Sequence, residues 1–266
     1  MGRCLLPDDL WHEIAPLRPP PRPRPKGGRR FIENRAALTG ILFVLRSGLR
    51  REMLPAEMGC GSGMTCWRRL RDRQAAGVWV RLHGVLLGRL HEADQLDWSR
   101  ASLDSASVPA KKRGPATGPN PTDRGKPGTK RHRVVDARGT PFGLTFTGAN
   151  RHDSAMMAPT LDAITPVRSG RRGRQRRRPH KLHADTAYDT RARRQECRAR
   201  GIVPRIARRG IESSEKLGLH RWVVEHTHAW FNRFRRLPVP YERRADIYQA
   251  FTTLAACIIT LNQTRR

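Results

Sequence analysis

Acidic side chains are scarce in this chain: 23 Asp and Glu stand against 53 Lys and Arg, a formal net charge of +30. Such an excess repels itself in the folded state unless a polyanion neutralises it, and nucleic acid is the obvious polyanion. Basic tails share that charge, but 37% hydrophobic residues arranged in long periodic segments describe a folded body. Cysteines are few and scattered (Cys4, Cys60, Cys66, Cys197, Cys257), with no CxxC pair of zinc-site spacing, so a reduced cytosol is expected. Long apolar runs are missing too. The longest, Ala250 to Leu261, is broken by Thr252, Thr253 and Thr260, is too short for a bilayer, and reads as a buried core helix. The start MGRCLLPDDLW lacks a secretory hydrophobic region, which leads to an expectation of a cytoplasmic protein with no membrane partner. No GxGxxG or GxxxxGK follows a strand, which removes support for an ordinary doubly wound nucleotide fold.

What is present falls into two expected domains, residues 1–95 and 98–264. Pro7, Asp8 and Asp9 open a short helix with Leu10, Trp11 and Ile14 on one side. The stretch PPPRPRPKGGRR (19–30) reads as a stiff, solvated spacer. Asn34 is expected to cap a helix carrying Leu38, Ile41, Leu42 and Leu45, with Gly48 as its stop. After the turn at 59–63, Thr65 begins a basic helix, with Trp67 and Leu70 inward and Arg68, Arg69, Arg71 and Arg73 outward. Helix, glycine turn, basic helix is the order of a helix-turn-helix, and the alternative is a solvated helix face. Charge favours DNA, making Thr65 and these arginines candidate DNA contacts, together with Lys111 and Lys112 of the basic loop beyond residue 109.

From residue 100 the pattern becomes strand, two hairpin-linked strands, helix, strand, helix, strand, helix, which is the βββαβαβα order of an RNase H-like mixed α/β sheet. Alternation sets Leu103 and Asp104 on opposite faces of the first strand. In HKLHAD, Leu182 and Ala184 share one face while His183 and Asp185 share the other, with Asp185 at the strand's C-terminal end, where sheets of this kind place ligands. First and fourth strands are neighbours in this topology, so two carboxylates would stand side by side, a costly arrangement unless a cation lies between them. Glu225, on the helix LHRWVVEHTHAWFNRFRR, supplies a third, with Val223, Thr227, Trp230 and Phe234 expected as the buried stripe opposite it. Three carboxylates plus substrate phosphate suit a pair of Mg²⁺ ions and phosphoryl transfer. Taken singly each acid has a plain reading, as strand end, turn former or solvated helix residue. His226 and His228, two apart on a helix, do not share a face and are expected to be exposed or DNA-contacting.

The stretches CGSGMTCWRRLR, LDWSRASLDSASVPAKK, TGANRHDS, HADTAYDT and HRWVVEHTHAWFNRFRRLPVPYERRAD together resemble the DDE transposases of bacterial insertion sequences, specifically the family numbered five, over nearly the whole chain. The resemblance implies an insertion-element helical domain ahead of a DDE domain that cleaves and joins DNA at the element's terminal repeats, using Mg²⁺ or Mn²⁺ and acting as a homo-oligomer on DNA at the nucleoid of the bacterial cytoplasm. It also implies that Asp104, Asp185 and Glu225 are the triad of acids, with Arg221 as the arginine preceding the glutamate. Related signatures carry a tyrosine and a lysine where this chain has Gly218 and Asn232, and Arg233 stands ready to supply the lysine's phosphate contact. Ala187 replaces a glycine; if positive φ is needed there, alanine costs about 1–2 kcal/mol. An RNase H-like nuclease and an inactive relic that only binds DNA are the competing readings.

Overall fold

The computed structural model describes residues 4–20, 31–168, 175–208, 210–211 and 214–265, with the backbone alone for 214–221. Most of the Pro/Arg spacer and the arginine run 169–174 lie outside the described residues.

The helical part begins with α1 (Asp8–Ile14), which turns Leu10 and Ile14 inward behind Pro7. Next comes α2 (Asn34–Ser47), closed by Gly48 at φ 75°, a left-handed turn that glycine makes without a Cβ penalty. Asn34 is the first helical residue and not the cap, a place taken by Glu33, and its side-chain oxygen accepts from the Arg73 guanidinium at 3.0 Å. α3 (Gly63–Ala75) starts two residues before Thr65, since Ser62 is the cap and accepts from the Thr65 amide. Gly63 is required by close approach: a Cβ there would meet the Arg51 carbonyl oxygen at 1.7 Å. α4 (Val78–Glu92) follows after a tight turn.

β1 (Arg100–Pro109), β2 (Gly118–Pro119), β3 (Pro127–Asp136), β4 (Pro141–Gly148), β5 (Lys181–Ala184) and β6 (Val203–Ile206) form one sheet. β3 lies between β1 and β4, antiparallel to both, and β2 joins its first residues. On its other side β1 pairs in parallel with β5, and β5 with β6. The spatial order β4-β3-β1-β5-β6 is the expected RNase H-like sheet, reached by crossovers through α5 (Met157–Asp162) and α6 (Arg191–Ala199). β3 begins five residues earlier than the apolar run HRVVDA indicated, because β1 continues to Pro109 and offers a partner that far. The turn between β3 and β4 is held by Asp136, whose carboxylate accepts from the amides of Arg138, Thr140 and Asp97.

One face of the sheet is apolar. Leu103, Val134, Phe142, Leu182 and Ala184 pack there with Met157 and Leu161 of α5 and Cys197 of α6. Across the other face run α7 (Ser214–Asn232) and α8 (Ala245–Gln263), and the apolar run read from sequence is indeed a buried helix. α8 is apolar nearly all round because it is sandwiched: Leu254, Ala255 and Ile258 share one cluster with Leu38, Leu42, Leu45, Leu70 and Trp79 of the helical part and with Leu144 of β4. At about 1.5–3 kcal/mol per buried large apolar side chain, this contact is a major stabilising term. The seam is also polar. The backbone amides of Arg235 and Arg236 donate to the carbonyls of Arg46 and Leu45 in the last turn of α2, and the Arg236 guanidinium, ion-paired with Glu242, donates to Gly48 and Leu49 just beyond it.

Candidate active site and nucleic-acid face

Parallel pairing runs from Arg100 and Lys181 to Ser102 and His183, and Asp104 and Asp185 each stand two residues beyond that last pair, near enough to Tyr188 for both charges to act on its phenol. Asp104 sits on the α7 side, opposite Leu103, as alternation requires, and faces His228 of that helix. Asp185 ends its strand and caps a short 3₁₀ turn, Thr186–Tyr188, by accepting from the Ala187 amide at 2.9 Å. One carboxylate oxygen is thereby oriented by backbone. Ala187 is not among the described non-glycine residues with positive φ, which are Asp94 and Arg124, so the glycine-to-alanine difference stores no backbone strain here.

Asp104 stands directly across from Arg133 of β3, and next along that strand's same face comes Arg131. Both guanidiniums are buried, Arg133 completely, and burial pushes each below its ordinary range. The Arg133 group lies 4.2 Å from the centre of the Phe231 ring and donates to His228 Nδ1. His228 Nε2 approaches Asp104 Oδ2 at 3.7 Å, an electrostatic approach longer than a hydrogen bond. Burial pushes the His228 imidazole down to about 4 against the opposing pull of Asp104, so it is neutral at pH 7. The expectation of an exposed His228 is therefore corrected: α7 lies on β1 and β3 and turns this residue onto the sheet, while His226 is exposed as expected.

Glu225 itself is exposed. It precedes His228 by three residues and Asn232 by seven, which puts all three along one side of α7. Those two neighbours reach the sheet, His228 at Asp104 and Asn232 at Arg131 Nη2, 3.0 Å away. Val223, Thr227 and Phe234 are buried as expected, but Trp230 is only half-buried, and Val224, His228 and Phe231 complete the buried side in its place. The side chains of Arg221 and Gly218's surroundings lie outside the described residues. Among the described residues no three of His, Cys, Asp and Glu gather closely enough to hold a metal ion. Asp104 and Asp185 belong to neighbouring segments and Glu225 is exposed on α7; carboxylates are the donors that a hard divalent cation takes.

A second acidic element lies beside these strands and was missed in the sequence. Asp153 accepts from Ser105 Oγ at 2.7 Å and pairs with Lys130 Nζ at 2.9 Å. Burial would raise its pKa, but these two partners outweigh it and hold the carboxyl below the usual range. Tyr188 is buried within the field of Asp153, Asp104 and Asp185, and burial first, then these charges, drive its phenol far up. Its place two residues before a helix-capping Thr190, in HADTAYDT, was the available signal.

On the candidate DNA surface Arg68 is exposed, as are Lys111 and Lys112, while Thr65, Arg69 and Arg71 are half-buried. Arg69 lies over Phe31 and Arg71 over Trp67, at 5.1 and 5.5 Å from the ring centres. Arg73, expected outward, is 3% exposed: it folds over Trp79 and bonds Asn34, tying α3 to α2. Arg233 is exposed at the rim of a pocket between α2, α7 and α8.

Comparison with known proteins decides the family. The family described as "Transposase DDE domain" matches residues 99–260, more than half of the chain. The chain belongs to the DDE transposases. Residues 6–83 match a second family, "Putative transposase of IS4/5 family". Among curated relatives, "Putative transposase for insertion sequence element IS402" of Burkholderia cepacia is 51% identical over 152 residues, 57% of this chain and 72% of the relative. The "Insertion element IS402 uncharacterized 16.2 kDa protein" of the same organism is 59% identical over 123 residues, covering 46% of this chain and 84% of that one. Among solved structures, the "Mos1 transposase paired-end complex with left transposon end" aligns with 82% of this chain and 79% of its own at 13% identity, TM-score 0.26. The "Crystal structure of the Mos1 Strand Transfer Complex" aligns with 80% and 79%, at 13% identity and TM-score 0.29. This DDE transposase is accordingly an enzyme of DNA cleavage and strand transfer, of a family that works with divalent metal ions. Among its described residues no helix is long and apolar enough to cross a membrane.

Proposed function

We propose that Asp104, Asp185 and Glu225 hold the divalent ions, a pair of Mg²⁺ or Mn²⁺, through which this transposase cleaves and joins the ends of its insertion sequence. The observation that supports the reading is the parallel pairing of β1 with β5, two residues beyond whose last pair Asp104 and Asp185 stand, while α7, which carries Glu225, lies over β1 through His228. Bound there, the ions would activate an attacking water or 3′-hydroxyl and stabilise the leaving oxygen. The chain's own part is orientation. The Ala187 amide fixes one oxygen of Asp185, and neutral His228, backed by Arg133, faces Asp104 without adding a charge. Arg221, one turn before Glu225, and Arg233 are assigned to substrate phosphate.

End recognition falls to the helical part, residues 1–95, through Thr65, Arg68, Arg69 and Arg71 of α3, with Lys111 and Lys112 beside the catalytic part, residues 98–264. Arg73 is left out because it is buried. The two parts share a core through α8, so recognition is best measured on the whole chain and not on a fragment. We further propose a homo-oligomer on DNA.

The test uses Asp104→Asn, Asp185→Asn and Glu225→Gln in the full chain, assayed with a labelled terminal-repeat duplex. Each variant is expected to lose Mg²⁺-dependent cleavage and to keep duplex binding, since phosphate contacts dominate affinity. Mn²⁺ titration followed by electron paramagnetic resonance should show weakened binding in each. Parental cleavage by Glu225→Gln would remove that residue from the metal site.

A further inference from the structure

We infer that α7 carries a stacking track for unpaired DNA bases, formed by Trp222, His226 and Trp230 and ending in the pocket beside Arg46 and Arg233. The three rings are four residues apart and so stand in one line along the helix. Their centres are 5.9 Å apart from Trp222 to His226 and 4.9 Å from His226 to Trp230, tilted by 36° and 46°. Such a row of rings normally faces a core, yet here Trp222 is 55% exposed and His226 is exposed as well. Fold stability does not account for a tryptophan in that position, because the opposite side of α7, with Val223, Val224, Thr227 and Phe231, supplies the packing.

The line runs into a pocket of about 320 Å³ between the end of α2, α7 and α8, bordered by Arg46, Trp230, Arg233, Phe234, Asn262 and Gln263. Two guanidiniums, two amides and two aromatic rings are the groups that take a phosphate, a base edge and a base face. The occupant follows from this chemistry and from the chain's net charge of +30. Base faces are offered only by unpaired nucleotides, since in duplex DNA they are covered by their neighbours. Glu225 follows Trp222 by three residues and so stands beside it on the helix surface, and a strand laid on the track passes next to this one of the acids proposed above. The inference therefore deepens the proposed function and rests on it: an enzyme that opens DNA ends has unpaired nucleotides to hold.

The experiment measures fluorescence anisotropy of a labelled oligothymidylate and of a blunt duplex, at one fixed salt concentration and without metal, with the full chain. Trp222→Ala is expected to weaken single-strand binding by about tenfold while changing duplex binding by less than about twofold, and Trp222→Phe to restore most of the loss. His226→Ala should show a smaller loss of the same kind. Unchanged single-strand binding in Trp222→Ala would overturn the inference, as would equal losses on both probes. Loss of self-association in sedimentation, with single-strand affinity intact, would overturn it too and assign the row to a second copy of the chain. The parallel measurement on Asp104→Asn separates the two readings. Trp222-dependent binding there stands whether or not the parent cleaves, so failure of the metal assignment and failure of the track give different results.

Discussion

The two faces of the sheet are built on opposite principles. Toward α5 and α6, Leu103, Val134, Leu182 and Ala184 make an apolar layer that any hydrophobic side chains of similar volume would reproduce. Toward α7, the same strands present Asp104, Arg131 and Arg133 beneath His228 and Asn232, and the two arginines are buried at a cost in stability. A strand's two-residue period lets one segment serve both ends: Leu103 packs in the apolar layer and Asp104, its neighbour, faces His228 of α7.

The strongest way to break this comparison is to change the neighbours one at a time. Leu103→Ala should cost about 2–5 kcal/mol, read as a fall in melting temperature, with residual activity in the molecules that stay folded. Asp104→Asn should leave the melting temperature nearly unaltered and abolish cleavage. If both variants lose stability equally, the division between the faces fails.

Acid sharpens it next. The apolar side meets the helical part at His83, which is buried, faces Thr165 Oγ1 at 3.1 Å, and is pushed by burial down to about 4. Its folded pKa lies below the unfolded value near 6.5, so the folded state binds fewer protons. Its stabilising contribution is whole above pH 6.5 and is lost as pH falls toward 4, about 3 kcal/mol in all. Asp136 acts with the opposite sign. Burial raises it to about 6, so its contribution is present below about 3.8 and lost as pH rises through 6. Comparing His83→Gln with the parent isolates the histidine, and the variant should lose less stability than the parent between pH 7 and 4.5. Equal acid sensitivity would show that His83 is not the group that titrates.

On the polar side, Arg133 has two guanidinium nitrogens, Nε and Nη2, without a hydrogen-bond partner among the described residues. Arg133→Met should raise stability by about 1–2 kcal/mol, as apolar replacement of buried charge often does, and lower cleavage through loss of the His228 contact. A stable variant with parental cleavage would show that the buried guanidinium serves no catalytic geometry. The smallest effect is expected at Ala187. Its φ is not positive, so Ala187→Gly should lower stability by about 0.5–1 kcal/mol through unfolded-state entropy, read by thermal melting, and should not speed cleavage.

Much of the site was legible because period-two alternation and strand order are local signals. Asp104 opposite Leu103, Asp185 at a strand's end and a buried last helix all follow from them, and the observed pairing of β1 with β5 agrees. Arg73 was misread because helix periodicity gives direction around an axis, not length of reach; its long side chain bends back over Trp79. His228 was misread for a related reason. Periodicity placed the buried stripe of α7 about one residue away from where the sheet takes it, and the full width of that face includes Val224, His228 and Phe231.

By itself, then, the sequence determined the sheet's order, the side of β1 on which Asp104 stands and an excess of positive charge, since these rest on periodicity, spacing and composition. Tertiary structure decided which side of α7 meets the sheet, that Arg131 and Arg133 are buried under it, and that α8 joins the helical part to the catalytic part in one core. These are contacts between segments far apart in the chain. No local pattern encodes them, because the packing of one helix against a distant partner is settled only when both surfaces are present.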